Sequence, residues 1–298
     1  MITPPFLKPG DKVAIVATAR KVSAQEMAYA LETLTKWGLQ PVLGKNIYAV
    51  ENQFAGSNKE RAEDLQWAID DESIKAVFIA RGGYGTIRIM DDVDCNHLKS
   101  NPKWIVGFSD VTVLHSHIHK FCEVATIHAV MPINFDKNTE AIETLRKCLF
   151  GEKVKYEFPA EKLNRIGAGK GLLVGGNLSL LYALSATPED FNTDGKILFL
   201  EDLDEYLYHI DRMMLNLKRS GKLSKLAGLI IGGFTEMKDN PIPFGKTAEE
   251  IILDLVKEYH YPVCFGFPAG HVERNLALYF GKEVKLSVNS NNCAIEYM

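Results

Sequence analysis

The chain has 298 residues, 46% hydrophobic and 24% charged, with a formal net charge of −4. That balance belongs to a globular protein and excludes a disordered chain, a collagen-like repeat or a disulfide miniprotein. It offers no basic excess to neutralise a phosphate backbone, so nucleic acid is not an expected partner.

The five cysteines (Cys95, Cys122, Cys148, Cys264 and Cys293) are scattered and form no C-x-x-C. They supply neither a disulfide framework nor a zinc cage and suit a reducing cytosol. Residues 1–9 contain Pro4, Pro5 and Pro9 and lack the apolar core of a signal peptide. No apolar run reaches the roughly 18 residues of a membrane span. The expectation is a cytoplasmic protein of one or two domains with no membrane partner.

Strands alternate with helices. Residues 12–19 form a short apolar run of the kind that becomes a buried parallel strand. Residues 24–37 repeat apolar side chains at helical spacing (Met27, Ala30, Leu31, Leu34) and stop at Gly38. A strand follows at 41–43, a helix at 58–69 capped by Ser57 or Asn58, and a strand at 74–80. The last of these runs straight into Arg81-Gly82-Gly83-Tyr84-Gly85. A fourth strand at 104–108 ends in Gly107-Phe108-Ser109-Asp110 and leads into a helix over 111–121. This order predicts a parallel sheet covered by helices on both faces.

Residues 151–170 mix charges with Pro159, Gly167 and Gly169 and read as a crossover between domains. The predicted division is an N-terminal domain over 1–150, the crossover, and a C-terminal domain over 171–298. Beyond the crossover come Gly175-Gly176-Asn177, a helix to residue 183 and a strand at 196–200. A helix at 211–219, a strand at 228–231, an amphipathic helix at 247–259 and strands at 262–267 and 283–288 complete the reading.

Four stretches carry candidate chemistry. A serine where strand meets helix projects its hydroxyl beyond the sheet edge, with the helix-start N–H groups aimed the same way, which suits acyl transfer. The commoner reading of Gly107-Phe108-Ser109-Asp110 is that Ser109 or Asp110 only caps the helix. The glycines of 82–85 let backbone N–H groups approach an anion, or serve only a tight turn. The same stretch differs from the Gly-Gly-Asp-Gly-Thr signature of NAD and lipid kinases only in Tyr84, so a nucleotide-binding kinase is a rival of another class. Glu201 and Asp202 at a strand end could orient a histidine or form a solvated acidic loop. His271, in a Gly/Pro loop after a strand, is a general-base candidate. His115 and His119 share a helical face, but no glutamate completes an H-E-x-x-H metal motif.

Together these pieces resemble the LD-carboxypeptidase family of serine peptidases, which includes muramoyltetrapeptide carboxypeptidases and microcin C immunity peptidases. The resemblance runs through nearly the whole chain: Pro9-Gly10-Asp11, Arg61-Ala62-Glu63-Asp64-Leu65, Ala80–Gly85, Gly107–His115, Gly175–Ser179, Ile197–Asp202, Tyr208–Met214 and Gly270-His271. It departs from the usual family pattern at Ala17-Thr18-Ala19, at Ile127–Met131, at Ser185–Pro188 and at Ala277–Gly281.

The resemblance implies an N-terminal doubly wound parallel sheet, class I glutamine amidotransferase-like, and a C-terminal α/β domain of swivelling or barrel-like type. It implies a catalytic triad of Ser109, Glu201 and His271, with an oxyanion hole from the backbone N–H groups of Gly83 and Asp110. It further implies a homodimer without metal or cofactor that removes D-alanine from the L-centre of a diamino acid in murein tetrapeptides. The rival within the family is an amidase acting on a peptide–nucleotide antibiotic.

Overall fold

A computed structural model describes residues 1–298. They divide into two compact units, Met1–Lys153 with Glu273–Gly281, and Val154–Val272 with Lys282–Met298. No helix is long and apolar enough to cross a membrane.

The first unit is built on five parallel strands: β1 (Lys12–Val16), β2 (Gln40–Leu43), β3 (Ile74–Ile79), β4 (Trp104–Gly107) and β5 (Thr126–His128). Their order is β2-β1-β3-β4-β5. Four consecutive residues of β1 are buried, as expected of a strand covered on both faces. The order reverses between β1 and β3, and in such sheets ligands bind outside the carboxyl ends of the strands at that reversal.

Helices α1 (Ala24–Lys36) and α2 (Asn58–Asp70) each begin with a capping box, Ser23 with Glu26 and Ser57 with Glu60. Helix α1 buries Met27, Ala30 and Leu34, one stripe at helical spacing. The unit also contains α3 (His97–Ser100), α4 (Thr112–Phe121) and α5 (Thr139–Phe150). The sequence reading passed over α5, although Asn138 caps its start and Gly151 ends it at a φ of +72°.

The second unit holds β6 (Lys155–Pro159), β7 (Gly167–Asn177), α6 (Leu178–Ala183), β8 (Ile197–Leu203), α7 (Leu207–Arg219), β9 (Gly228–Thr235), α8 (Ala248–Leu255) and β10 (Val263–Cys264). The chain then returns to the first unit. There β11 (Leu278–Phe280) pairs antiparallel with β5, matching Leu278 to His128. It re-enters the second unit as β12 (Glu283–Val288) and β13 (Asn292–Tyr297).

The second sheet runs β10-β9-β8-β7-β12-β13-β6. Strands β10 to β7 are parallel, and the remaining pairings are antiparallel. Helix α7 lays Ile210, Met213, Met214 and Leu217 on the parallel half, against Leu198, Leu200 and Leu229. Burying each such side chain contributes about 1.5–3 kcal/mol.

Two parts of the sequence reading change here. The sheet is not a closed barrel, because β6 pairs only with β13 and β10 only with β9, whereas closure needs a partner on both sides of every strand. Its ends are stitched locally instead. The Phe265 N–H donates to Asn164 Oδ1 at 2.7 Å, and Arg165 and Val263 exchange backbone hydrogen bonds at 2.9 and 3.2 Å.

Residues 151–170 also contain strand structure, since β6 and the start of β7 fall inside them. The glycines there and just beyond serve the strand. A Cβ on Gly175 would collide with the Phe199 backbone of the neighbouring β8. Glycine in a strand marks close backbone approach as well as a loop, and composition alone does not separate the two.

Candidate active site

At the carboxyl end of β4 the chain passes through Phe108, extended at a φ of −147°, into Ser109 at a φ of +63°. A left-handed conformation costs a residue other than glycine about 1–2 kcal/mol. Strain of this kind persists only where the surroundings enforce it. Here they do. A Cβ on Gly107 would lie 2.8 Å from Val111 Cγ2, so the turn has no room for a side chain before the serine. Ser109 begins a single 3-10 turn that leads into α4, and it remains 8% exposed. A strained strand-to-helix turn is the geometry that raises a serine hydroxyl over a sheet edge.

The glycine turn after β3 lies against this serine. A Cβ on Gly82 would sit 3.5 Å from Ser109 Oγ. Gly83 follows with a φ of +109° and Gly85 with +150°. The capping alternative for Ser109 and Asp110 does not hold. Phe108 and Val111 occupy the N-cap positions, without side-chain caps. The buried Asp110 carboxylate instead accepts the Thr86 N–H at 2.8 Å, tying the start of α4 to the end of the glycine turn. Burial pushes the Asp110 carboxyl above the ordinary range, opposed by hydrogen bonds from Thr86 and Gly85 and by the charge of Arg61.

Arg61 completes the frame. Its side chain, buried on α2, donates to the Thr18 carbonyl at 2.5 Å and to the Gly85 carbonyl at 3.0 Å. The loops after β1 and β3 are thereby joined at the point where strand order reverses. Thr18 and Thr86 add a hydroxyl–hydroxyl bond of 2.8 Å between the same loops. The roles of Arg61, Thr18 and Thr86 escaped sequence reasoning. An arginine beside apolar residues in a helix was the one visible signal.

In the second unit, Glu201 on β8 is fully buried. Its Oε2 accepts from His271 Nδ1 at 2.6 Å and from the His271 N–H at 3.2 Å. The solvated-loop alternative for Glu201 and Asp202 therefore falls. Gly270 makes the approach possible, because a Cβ at its φ of +97° would lie 2.6 Å from Glu201 Cβ and 2.7 Å from Oε2. The His271 carbonyl accepts from Thr235 Oγ1 at 3.1 Å, so the loop is held from its far side as well. Burial pulls the His271 pKa down. The hydrogen bond and charge of Glu201, with the charges of Asp202 and Glu236, outweigh it and raise the pKa above its ordinary value.

Asp202 sits beside Glu201 where the β8–β9 register shifts. Its carboxylate accepts from Asn177 Nδ2, the Ser179 N–H and the Leu203 N–H, each at 2.9 Å. Burial and the neighbouring Glu201 charge push it up to about 7. The Gly-Gly-Asn-Leu-Ser motif thus holds a carboxylate: Asn177 caps α6 with its oxygen and anchors Asp202 with its amide nitrogen.

The paired histidines of α4 have other work. His115 Nε2 lies 2.9 Å from the Gly107 carbonyl, and complete burial brings its pKa down to about 4, keeping it neutral. His119 Nε2 lies 3.1 Å from Thr126 Oγ1.

The strained serine turn at the carboxyl edge of the first sheet, and the buried carboxylate on a loop histidine of the second, are each features that hydrolases use. Comparison with known proteins names the family. A model described as the LD-carboxypeptidase N-terminal domain matches residues 13–129, and one described as the C-terminal domain matches residues 170–286. The "Probable murein peptide carboxypeptidase" of Bacillus subtilis (strain 168) is 34% identical over 98% of this chain and 94% of its own length. The "Murein tetrapeptide carboxypeptidase" of Pseudomonas aeruginosa is 28% identical over 93% of this chain and 94% of its own.

The crystal structure of muramoyltetrapeptide carboxypeptidase from Oxalobacter formigenes superposes with a TM-score of 0.88 at 26% identity, covering 96% of this chain and 98% of that one. A structure of MccF in complex with glutamyl sulfamoyl guanosine has the same fold, with a TM-score of 0.88 at 20% identity and coverage of 99% and 98%. The chain belongs to the LD-carboxypeptidase family and is a peptidase.

Proposed function

We propose that this protein is a serine-type LD-carboxypeptidase that removes the terminal D-alanine from murein tetrapeptides, cutting after the L-centre of the diamino acid. The carrying observation is the Glu201–His271 bond of 2.6 Å. With Nδ1–H donated to the carboxylate, Nε2 is the basic nitrogen. The names of the murein peptidases that the chain resembles over nearly its whole length support the substrate.

In this reading Ser109 Oγ attacks the amide carbonyl while His271 takes its proton. The N–H groups of Gly83 and Asp110 receive the developing oxyanion, and losing one such donor costs about 3 kcal/mol. The C–N bond breaks as His271 returns the proton to the leaving amine. Water, deprotonated by the same histidine, then hydrolyses the acyl-Ser109 ester. Glu201 keeps the imidazole in the required tautomer and stabilises its cation.

The reading includes a cytoplasmic homodimer. Five free, buried thiols favour a reducing compartment. The dimer follows from family resemblance, and sedimentation tests it. The same groups acting on a peptide–nucleotide amide are the alternative, but the MccF likeness at 20% identity concerns the fold alone.

The test is release of free D-alanine from a purified tetrapeptide, without metal or ATP. The wild type should release it, and Ser109→Ala, Glu201→Ala and His271→Ala should not. Absence of release by the wild type would remove the substrate, and undiminished release by the variants would remove the triad.

A further inference from the structure

An enzyme that removes one residue from a chain end has to recognise the carboxylate marking that end. The leaving amino acid places this group one residue, about 4 Å, beyond the carbonyl under attack. The side chain that best matches a carboxylate is the planar guanidinium of arginine.

Four arginines lie in or against the glycine turn beside Ser109, and three are engaged. Arg61 is buried and spent on the Thr18 and Gly85 carbonyls. Arg81 donates to the Lys21 carbonyl and lies 3.8 Å from Glu26. Arg88 donates to Asn58 and stands over the Phe54 ring.

Arg20 differs from these. It is exposed, and no hydrogen bond or ion pair occupies its guanidinium. Its side chain lies across Gly83, where a Cβ would sit 2.6 Å from Arg20 Cδ and 2.7 Å from Nε. Gly82, the next residue, packs on Ser109. The backbone that presents Arg20 is fixed: Arg20 bridges Phe54, the Ala55 N–H donates to the Ala19 carbonyl at 3.0 Å, and the Lys21 N–H donates to the Gln53 carbonyl at 3.0 Å. A cation with unspent donors therefore stands beside the turn that flanks the nucleophile, on a pinned stretch of chain.

We infer that Arg20 binds the C-terminal carboxylate of the peptide substrate and thereby restricts the site to chain ends, an inference that rests on the reaction proposed at Ser109. The 17–19 segment just before Arg20 is also where the sequence departs from the common family pattern.

The test compares two tetrapeptides with lysine at the third position, one ending in D-alanine and one in D-alaninamide. The wild type should favour the acid by about 100-fold in kcat/KM, the size expected of a charge-assisted pair. Arg20→Gln should cut that preference to less than about 5-fold, mainly through the KM of the acid, and Arg20→Lys should restore part of it. Arg81→Gln should keep the wild-type preference. Free D-alanine should inhibit the wild type competitively, D-alaninamide should not, and Arg20→Gln should lose the inhibition.

Retention of the preference by Arg20→Gln overturns the inference. So does an equal loss on acid and amide, which would mean that Arg20 reads a different carboxylate of the peptide. A wild type inactive on both peptides, or a Ser109→Ala variant as active as wild type, strikes the reaction at Ser109 instead. Calorimetric binding of D-alanine to wild type and Arg20→Gln then still decides the role of Arg20, with equal affinities overturning it.

Discussion

At Ser109 the restraints are steric. A left-handed serine is wedged between Gly107, which admits no side chain, and the glycine turn packed on its hydroxyl. At His271 they are electrostatic: a buried carboxylate, a second carboxylate beside it and a 2.6 Å hydrogen bond set both the orientation and the basicity of the ring. The steric wedge at the serine contains no titrating group of its own, whereas the second arrangement is built on one. In the proposed mechanism the titration of His271 therefore belongs to the second unit and the backbone strain at Ser109 to the first.

The largest expected effect separates chemistry from folding. Ser109→Ala should lower D-alanine release by more than about 10,000-fold. Its urea midpoint should stay close to wild type, because alanine retains the strained φ. Loss of folding in this variant would mean that the hydroxyl itself holds the turn.

Next comes Gly270→Ala, whose Cβ would meet Glu201 at 2.6 Å. If the proposed triad operates, activity should fall by about 1,000-fold while Ser109 stays in place, since a misaligned imidazole forfeits most of its contribution. Near-normal kcat/KM in Gly270→Ala would show that the Glu201–His271 bond does not set the orientation.

The third prediction concerns pH. In the proposed mechanism His271 has to be neutral to accept a proton, and its pKa is raised, so kcat/KM should fall on acidification through a value above the ordinary 6.5. Asp202→Asn removes one of the charges that raise it, and the acid limb should move to lower pH. An unmoved limb would assign the elevation to Glu201 and Glu236 without Asp202.

The smallest effect is thermodynamic. Ser109→Gly should unfold at higher urea, by about 1 kcal/mol, because glycine adopts a positive φ without the serine's penalty. No gain would mean that the turn is not strained.

Much of this architecture is legible in the sequence where one local rule governs. The apolar run read over 12–19 contains β1 at 12–16, Ser57 caps α2, and residues 283–288 are β12. Ser109, Gly83 and His271 stand out because each falls in a loop or turn after a strand, and Glu201 because it lies toward the end of one. What escapes is non-local. Strand β7 looks like a glycine-rich linker because its glycines answer to the backbones of other strands. The region read as one strand over 262–267 pairs only at Val263–Cys264, before the chain turns toward Gly270. The left-handed φ of Ser109 and the Arg61 clamp each depend on residues more than twenty positions away.

The route of β11 sets how this enzyme can be taken apart. The chain passes from one unit to the other three times, after Lys153, Val272 and Gly281, and His271 stands two residues before the second passage. A fragment ending at Lys153 would contain Ser109 but leave the β5 edge bare where β11 should pair, inviting self-association through that edge. A chimera that exchanges the first unit must carry residues 273–281 along with residues 1–153. Such a graft moves the residue directly after the passage and so alters the tether on the loop that carries His271, the general base of the proposed mechanism.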